Sequence, residues 1–96
     1  MSRVSGKPDI LYILWSQQGR RFYVGVSENP QRRLHQHNEG KSGWTARHRP
    51  WILVHEERYE NYRTARLREI ELKRQKGGQR FYQLTGLQPG RLHPRA

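Results

Sequence analysis

Residues 10–15, Ile-Leu-Tyr-Ile-Leu-Trp, form an unbroken apolar run in a chain with little else of that kind. A strand with no polar alternation has no solvent face, so it must be covered on both sides. Only 32% of the 96 residues are hydrophobic, which leaves a thin core, best built on a sheet. A chain of this length makes one domain with one small core.

The rest of the chain supplies partners for that strand. Gln17-Gln18-Gly19-Arg20 is a turn, and residues 21–26 read as a second strand, antiparallel to the first. Phe22, Val24 and Val26 share one face of it, Tyr23 and Gly25 the other. Asn29-Pro30 starts a helix, with Asn29 as N-cap and Pro30 at the first helical position, that runs to about Asn38. Residues 41–50 form a basic loop, 51–56 a third strand and 62–76 a second helix closed by Gly77-Gly78. Residues 79–84 read as one more short helix. The expected class is α+β: a small three-stranded antiparallel sheet flanked by helices, in the order β-β-α-β-α with the short helix last. Residues 1–8 are expected to be a flexible N-terminus, 9–86 the domain and 87–96 a loose basic tail.

Charge narrows the partner. Nineteen Lys and Arg against eight Asp and Glu give a net charge of +11. That charge repels itself and attracts polyanions, with nucleic acid the foremost. No segment joins a basic face to a long apolar face, and none approaches the roughly 18 apolar residues of a spanning helix. No membrane is therefore expected, and the chain reads as cytoplasmic. With no cysteine there are no disulfides, thiolate zinc sites or cysteine nucleophiles. His35, His37, His48, His55 and His93 lack two-ligand helical spacing, so a stable all-protein zinc site is not expected. No glycine-rich phosphate loop or nucleophile elbow is present.

Glu69 stands where a carboxylate is costly. At about 100° per residue, the apolar stripe of the second helix runs through Tyr62, Ala65 and Leu72, and Glu69 falls in its middle. A core-facing carboxylate costs several kcal/mol unless a cation, a metal or hydrogen-bond donors receive it. An ion pair with one of the many arginines is the plainest reception. Four further residues have chemistry to offer. Tyr12 lies midway along the first strand. Tyr23 shares its face with Gly25, which leaves space beside the ring. Arg33 and His37 are four apart and project from one side of the first helix. Each alone has an ordinary structural explanation; their coincidence does not.

Those residues carry a resemblance. Tyr12-Ile13-Leu14, then Tyr23-Val24-Gly25, then Arg32-Arg33-Leu34 with His37-Asn38 resemble the signature of the GIY-YIG nuclease superfamily. The segment Ala65 to Glu69 is similar to the one that carries the family's metal-binding glutamate, and Arg49-Pro50-Trp51 resembles the small stand-alone branch. The likeness covers roughly residues 9–76. It implies a divalent-metal-dependent phosphodiesterase, an endonuclease acting on nucleic acid, with DNA favoured over RNA. By this resemblance Glu69 would hold one Mg²⁺ (or Mn²⁺), Arg33 would grip the scissile phosphate, Tyr23 or Tyr12 would orient or deprotonate the attacking water, and His37 would take the proton onward or hydrogen-bond the phosphate. Where many relatives carry a supporting asparagine after the glutamate segment, this chain offers Gln79 and Gln83.

Grip on the substrate is expected from charge around that centre. Lys41, Arg47, His48 and Arg49 lie in the basic loop, with Trp44 available to stack on an unpaired base. Arg63, Arg66 and Lys73 on the second helix flank it. No element resembles a recognition helix for base edges, so structure or strandedness is the expected target rather than a long sequence. A protein partner for targeting is compatible with so small a domain. The rival is a non-catalytic nucleic-acid-binding module that keeps the nuclease fold.

Overall fold

The apolar run lies in β1 (Asp9–Ser16), the central strand of a three-stranded antiparallel sheet in which β2 (Arg21–Ser27) and β3 (Ile52–Tyr59) are the edges. The structure, a computed structural model, describes residues 7–41 and 43–95. Most of the expected flexible N-terminus, residues 1–6, lies outside the described residues. The central position explains why β1 lacks a polar face. Leu11 and Ile13 pack on one side with Phe22, Val24, Val54, Leu72 and Phe81. Tyr12 and Leu14 pack on the other with Trp51 and Leu53, joined by half-buried Tyr23 and Leu34.

Each face is roofed by helices. α1 (Pro30–Asn38) covers the Tyr12 face, its start fixed by the Asn29 side chain accepting from the Arg32 amide at 3.1 Å. Its end is pinned to the residue before β3 by a pair of hydrogen bonds: the Asn38 amide nitrogen donates to the Trp51 carbonyl at 3.0 Å, and the Trp51 N–H donates to Asn38 Oδ1 at 2.7 Å. α3 (Tyr62–Gln75) and α4 (Gln79–Thr85) cover the Leu11 face through Leu72 and Phe81, neither of which is exposed to solvent. Asn61 caps α3 by accepting from the Thr64 amide at 2.9 Å. Among the described residues no helix is long and apolar enough to cross a membrane.

Several details depart from the expected layout. The basic loop of residues 41–50 contains a short helix, α2 (Gly43–Ala46). β3 starts at Ile52 and continues to Tyr59, beyond the expected 51–56. Tyr62, placed in the apolar stripe, is 48% exposed, and the buried stripe of α3 comprises Ala65, Glu69 and Leu72. The terminal segment carries Leu87 and Leu92 against the core, and the Arg95 N–H donates to the Leu53 carbonyl at 2.8 Å.

A bulge in β3 has a structural consequence. Ile13 pairs with His55 but Leu14 pairs with Leu53, so Val54 is an extra residue and the parity of the strand is reset beyond it. Glu57 therefore stands opposite Leu11, on the face that α3 covers. There Arg68 meets it with two nitrogens, Nε to Oε1 at 2.9 Å and Nη2 to Oε2 at 3.1 Å. The Tyr59 hydroxyl and His55 Nε2 complete its shell at 2.7 and 2.8 Å. Burial opposes ionisation of Glu57, but the His55, Arg68 and Tyr59 contacts win and hold its carboxyl down to about 2. Arg68 also donates to the Leu84 carbonyl at 2.8 Å, so one guanidinium joins β3, α3 and the end of α4.

Candidate active site

Tyr12, Tyr23, Arg33 and His37 meet on the α1 face of the sheet. Tyr12 stands opposite Gly25 across the β1–β2 ladder. A Cβ at Gly25 would come within 2.8 Å of Tyr12 Cζ and Oη, so the space at that glycine is filled by the Tyr12 ring rather than left open beside Tyr23. Folded over the strand in this way, Tyr12 is 1% exposed and brings its hydroxyl to 3.3 Å from His37 Nε2. His37 is equally buried, and its Nδ1 lies 2.9 Å from the Thr45 hydroxyl on α2. Tyr23 remains half-buried, its ring centroid 4.5 Å from that of His37 and 6.1 Å from that of Tyr12.

Arg33 projects one turn before His37, and its guanidinium lies beside Tyr12 and Tyr23. It also donates to Gln36 Oε1 at 3.0 Å. Among the described residues no carboxylate pairs with it. Arg66, Arg68 and Lys73, by contrast, all have acidic partners. A half-buried guanidinium with only neutral partners retains its charge for an incoming anion.

The cluster sets its own protonation. Burial pushes the Tyr12 hydroxyl up to about 12, against the opposing pull of Arg33. His37 moves the other way: burial first, then the Arg33 charge, lowers its pKa from the usual 6.5. The imidazole is thus neutral at pH 7 and free to accept a proton. Arg33 is held more firmly charged by its hydrogen bond to Tyr12, burial notwithstanding.

Glu69 lies across the sheet, on α3. It is only 7% exposed, and its oxygens are taken by Arg66 Nη1 at 2.7 Å and Lys73 Nζ at 3.0 Å. Two of the residues expected to flank a nucleic acid are therefore spent, in this state, on the carboxylate. Lys76, the residue just past α3, lines one cavity with Arg21 of β2. Arg68, one position before Glu69, turns to β3. Among the described residues no strand pairs with the outer edge of β2. The four-residue cluster packs on the face of the sheet that α1 covers, and Glu69 belongs to α3, which covers the opposite face.

That donor set fits a hard divalent cation, although no group of three or more possible ligands occurs among the described residues. Mg²⁺ uses one or two carboxylates and completes its shell with water and substrate phosphate oxygens. Arg66 and Lys73 are each 45% exposed along their side chains, so both have solvent to swing into when a cation replaces them.

The basic surface is more tied down than its composition suggests. Lys41 pairs with Glu39 at 3.5 Å, and Arg49 donates from Nε to the Ala46 carbonyl at 2.9 Å. His48 packs its ring against Trp44, and its carbonyl accepts from the Ser16 hydroxyl at 2.6 Å. Arg47, Arg63 and Trp44 are exposed, Trp44 to 44%. Gln79 and Gln83 are exposed on α4. Thr45 was not expected at the site. Nothing local marks it, since it reaches His37 only through the fold of the loop.

The domain has the order β-β-α-α-β-α-α, with two phenols, an imidazole and a guanidinium gathered on one face of its sheet. The family model for the GIY-YIG catalytic domain matches residues 9–82, and the chain belongs to that family. It is similar, at 37% identity over 71 residues, to a UPF0213 protein of Enterococcus faecalis strain V583, covering 71% of this chain and 80% of the relative. No solved structure matches. GIY-YIG proteins are generally divalent-metal-dependent endonucleases, which makes nucleic acid the class of substrate.

Proposed function

We propose that the protein is a divalent-metal-dependent endonuclease that hydrolyses phosphodiester bonds in DNA, choosing its target by structure or strandedness. The observation that carries this reading is Arg33, a half-buried cation beside two phenols with no carboxylate partner among the described residues. A scissile phosphate at the edge of β2 completes it. Arg33 then neutralises charge growing on a non-bridging oxygen as the water attacks. Tyr12 is too deeply buried to meet solvent, so Tyr23 is the phenol that orients that water.

Proton removal follows the hydroxyls. Tyr23 passes its proton to the Tyr12 oxygen as it receives one from water, and Tyr12 passes its own to His37 Nε2. The path requires His37 to carry its resting proton on Nδ1, donated to Thr45. Glu69 is the residue that would hold the metal, whose chemistry is to neutralise phosphate charge and ease departure of the leaving oxygen. Arg66 and Lys73, displaced from Glu69, become available to flanking phosphates. The reaction, the preference for DNA and cytoplasmic residence are parts of this proposal, as is a protein partner for targeting.

The test is a panel of labelled branched, nicked, flap and single-stranded DNA incubated with Mg²⁺, Mn²⁺ or EDTA. Cleavage abolished by both EDTA and Glu69→Gln supports the enzyme. Tight binding without cleavage supports the non-catalytic module.

A further inference from the structure

We propose that the cavity between the β1–β2 hairpin and the end of α3 is a subsite for one unpaired nucleotide of a DNA strand lying beside a duplex. This extends the nuclease reading by assigning it a strandedness sensor. The cavity has a volume of about 330 Å³ and is lined by Trp15, Trp44 and Tyr82 together with Arg20, Arg21 and Lys76. That is near the small end of ligand sites. With Phe22 the walls hold four aromatic rings, and these with three cations suit a flat base with a phosphate attached, since base stacking and charge attraction act on separate parts of one nucleotide.

The cations are held there without anionic relief. Among the described residues no carboxylate pairs with Arg20, Arg21 or Lys76. The Lys76 ammonium sits over the Trp44 ring, 5.3 Å from its centroid. Removal from water, then the neighbouring Lys73 and Arg21, lowers its pKa. Arg20 adds a second sign. It adopts φ +52° in the hairpin turn, a left-handed conformation that glycine or asparagine takes at less cost, roughly 1–2 kcal/mol for an ordinary residue. An arginine held in that conformation, aimed at a cavity already lined by two other cations, is arranged for an anion.

The cavity also adjoins both halves of the candidate site. Trp44 stacks toward Trp51 at 5.8 Å between centroids, and Trp51 meets Tyr23 at 6.5 Å. Lys76 lies two helical turns beyond Glu69, about 10 Å along α3. A strand crossing the edge of β2 at Tyr23 and Glu69 therefore reaches the cavity within a few nucleotides, at roughly 3.4 Å per stacked step.

The test measures binding in EDTA, so that cleavage plays no part. Kd is determined at fixed salt for a fluorescent blunt duplex and for the same duplex bearing a short thymidine flap. The readout is the ratio of the two, in which a general loss of charge attraction cancels. Wild type should favour the flap by about tenfold. Trp44→Leu and Lys76→Gln, both at exposed positions and each checked for an unchanged melting temperature, should bring the ratio close to one. A wild type without flap preference, or variants that both retain it, overturns the proposal. So does free thymidine monophosphate competing as well as the flap strand, which would mark a mononucleotide site. Failure of the nuclease reading is seen separately: the flap ratio can respond to both variants while no DNA is cut, or stay fixed while Glu69-dependent cleavage proceeds.

Discussion

The Thr45 hydroxyl lies 2.9 Å from His37 Nδ1, so a four-residue helix in the basic loop meets a buried imidazole on α1 and fixes the orientation of its ring. The Trp51 indole N–H holds that helix in turn by donating to the Thr45 carbonyl at 2.7 Å. Thr45→Val removes the hydrogen-bond partner with little change in volume. Cleavage should fall by about 10- to 100-fold, less than the loss of a general base itself, and Thr45→Ser should restore most of it. DNA affinity measured in EDTA should not change. Equal cleavage by the Val variant would leave Thr45 a purely structural contact.

His37 gives the reaction a pH signature. Burial and Arg33 depress its pKa, and the reaction needs the neutral form. kcat/KM should therefore be flat as pH falls through 6.5 and decline only below it. A midpoint at or above 6.5 would contradict a buried histidine as proton acceptor.

Gly25 makes room for the ring that presses toward His37. Its Cβ position is blocked by the Tyr12 ring at 2.8 Å, and a residue 1% exposed has little space to retreat. Gly25→Ala should cost about 1–3 kcal/mol in stability by urea denaturation and displace Tyr12 from His37. Activity at temperatures well below melting should fall with it. A variant of wild-type stability would show that the ring shifts freely.

Much of this was legible beforehand, and the boundary between legible and hidden is physical. Local signals survive folding. The unpatterned run of residues 10–15 marked a strand covered on both faces, and Asn29-Pro30 marked the start of α1. Glu69 stood out because a carboxylate at a core phase conflicts with its own helix. Four residues of α2 are too few to show a period. Glu57 was hidden for a different reason: strand parity predicts which face a residue takes only until a bulge resets it, as Val54 does. The pairing of Arg66 and Lys73 with Glu69, at spacings of three and four, could be read from the sequence as readily as their expected role on nucleic acid.

Glu57 supplies an acid-sensitive part of the stability. Its carboxyl titrates near 2 in the folded chain against 4.5 as the ordinary value, so its contribution is complete above pH 4.5 and is lost as pH falls toward 2. The difference corresponds to on the order of 3 kcal/mol. Glu57→Gln should lower the urea-unfolding free energy by about that much at pH 7, and the two proteins should converge only as pH falls to about 2. A gap that persisted unchanged into acid would assign the stabilisation to packing instead.

The central claim is that Arg33 and Glu69, on opposite faces of the sheet, serve one phosphate at the edge of β2. Single-turnover cleavage of a flap substrate by wild type, Arg33→Ala and Glu69→Gln, each with Mg²⁺ and with EDTA, tests it most directly. The predicted result is metal-dependent cutting by wild type, a loss of about 10²-fold or more in Arg33→Ala, and no cutting by Glu69→Gln, which still binds DNA. Undiminished cleavage by Glu69→Gln would contradict it.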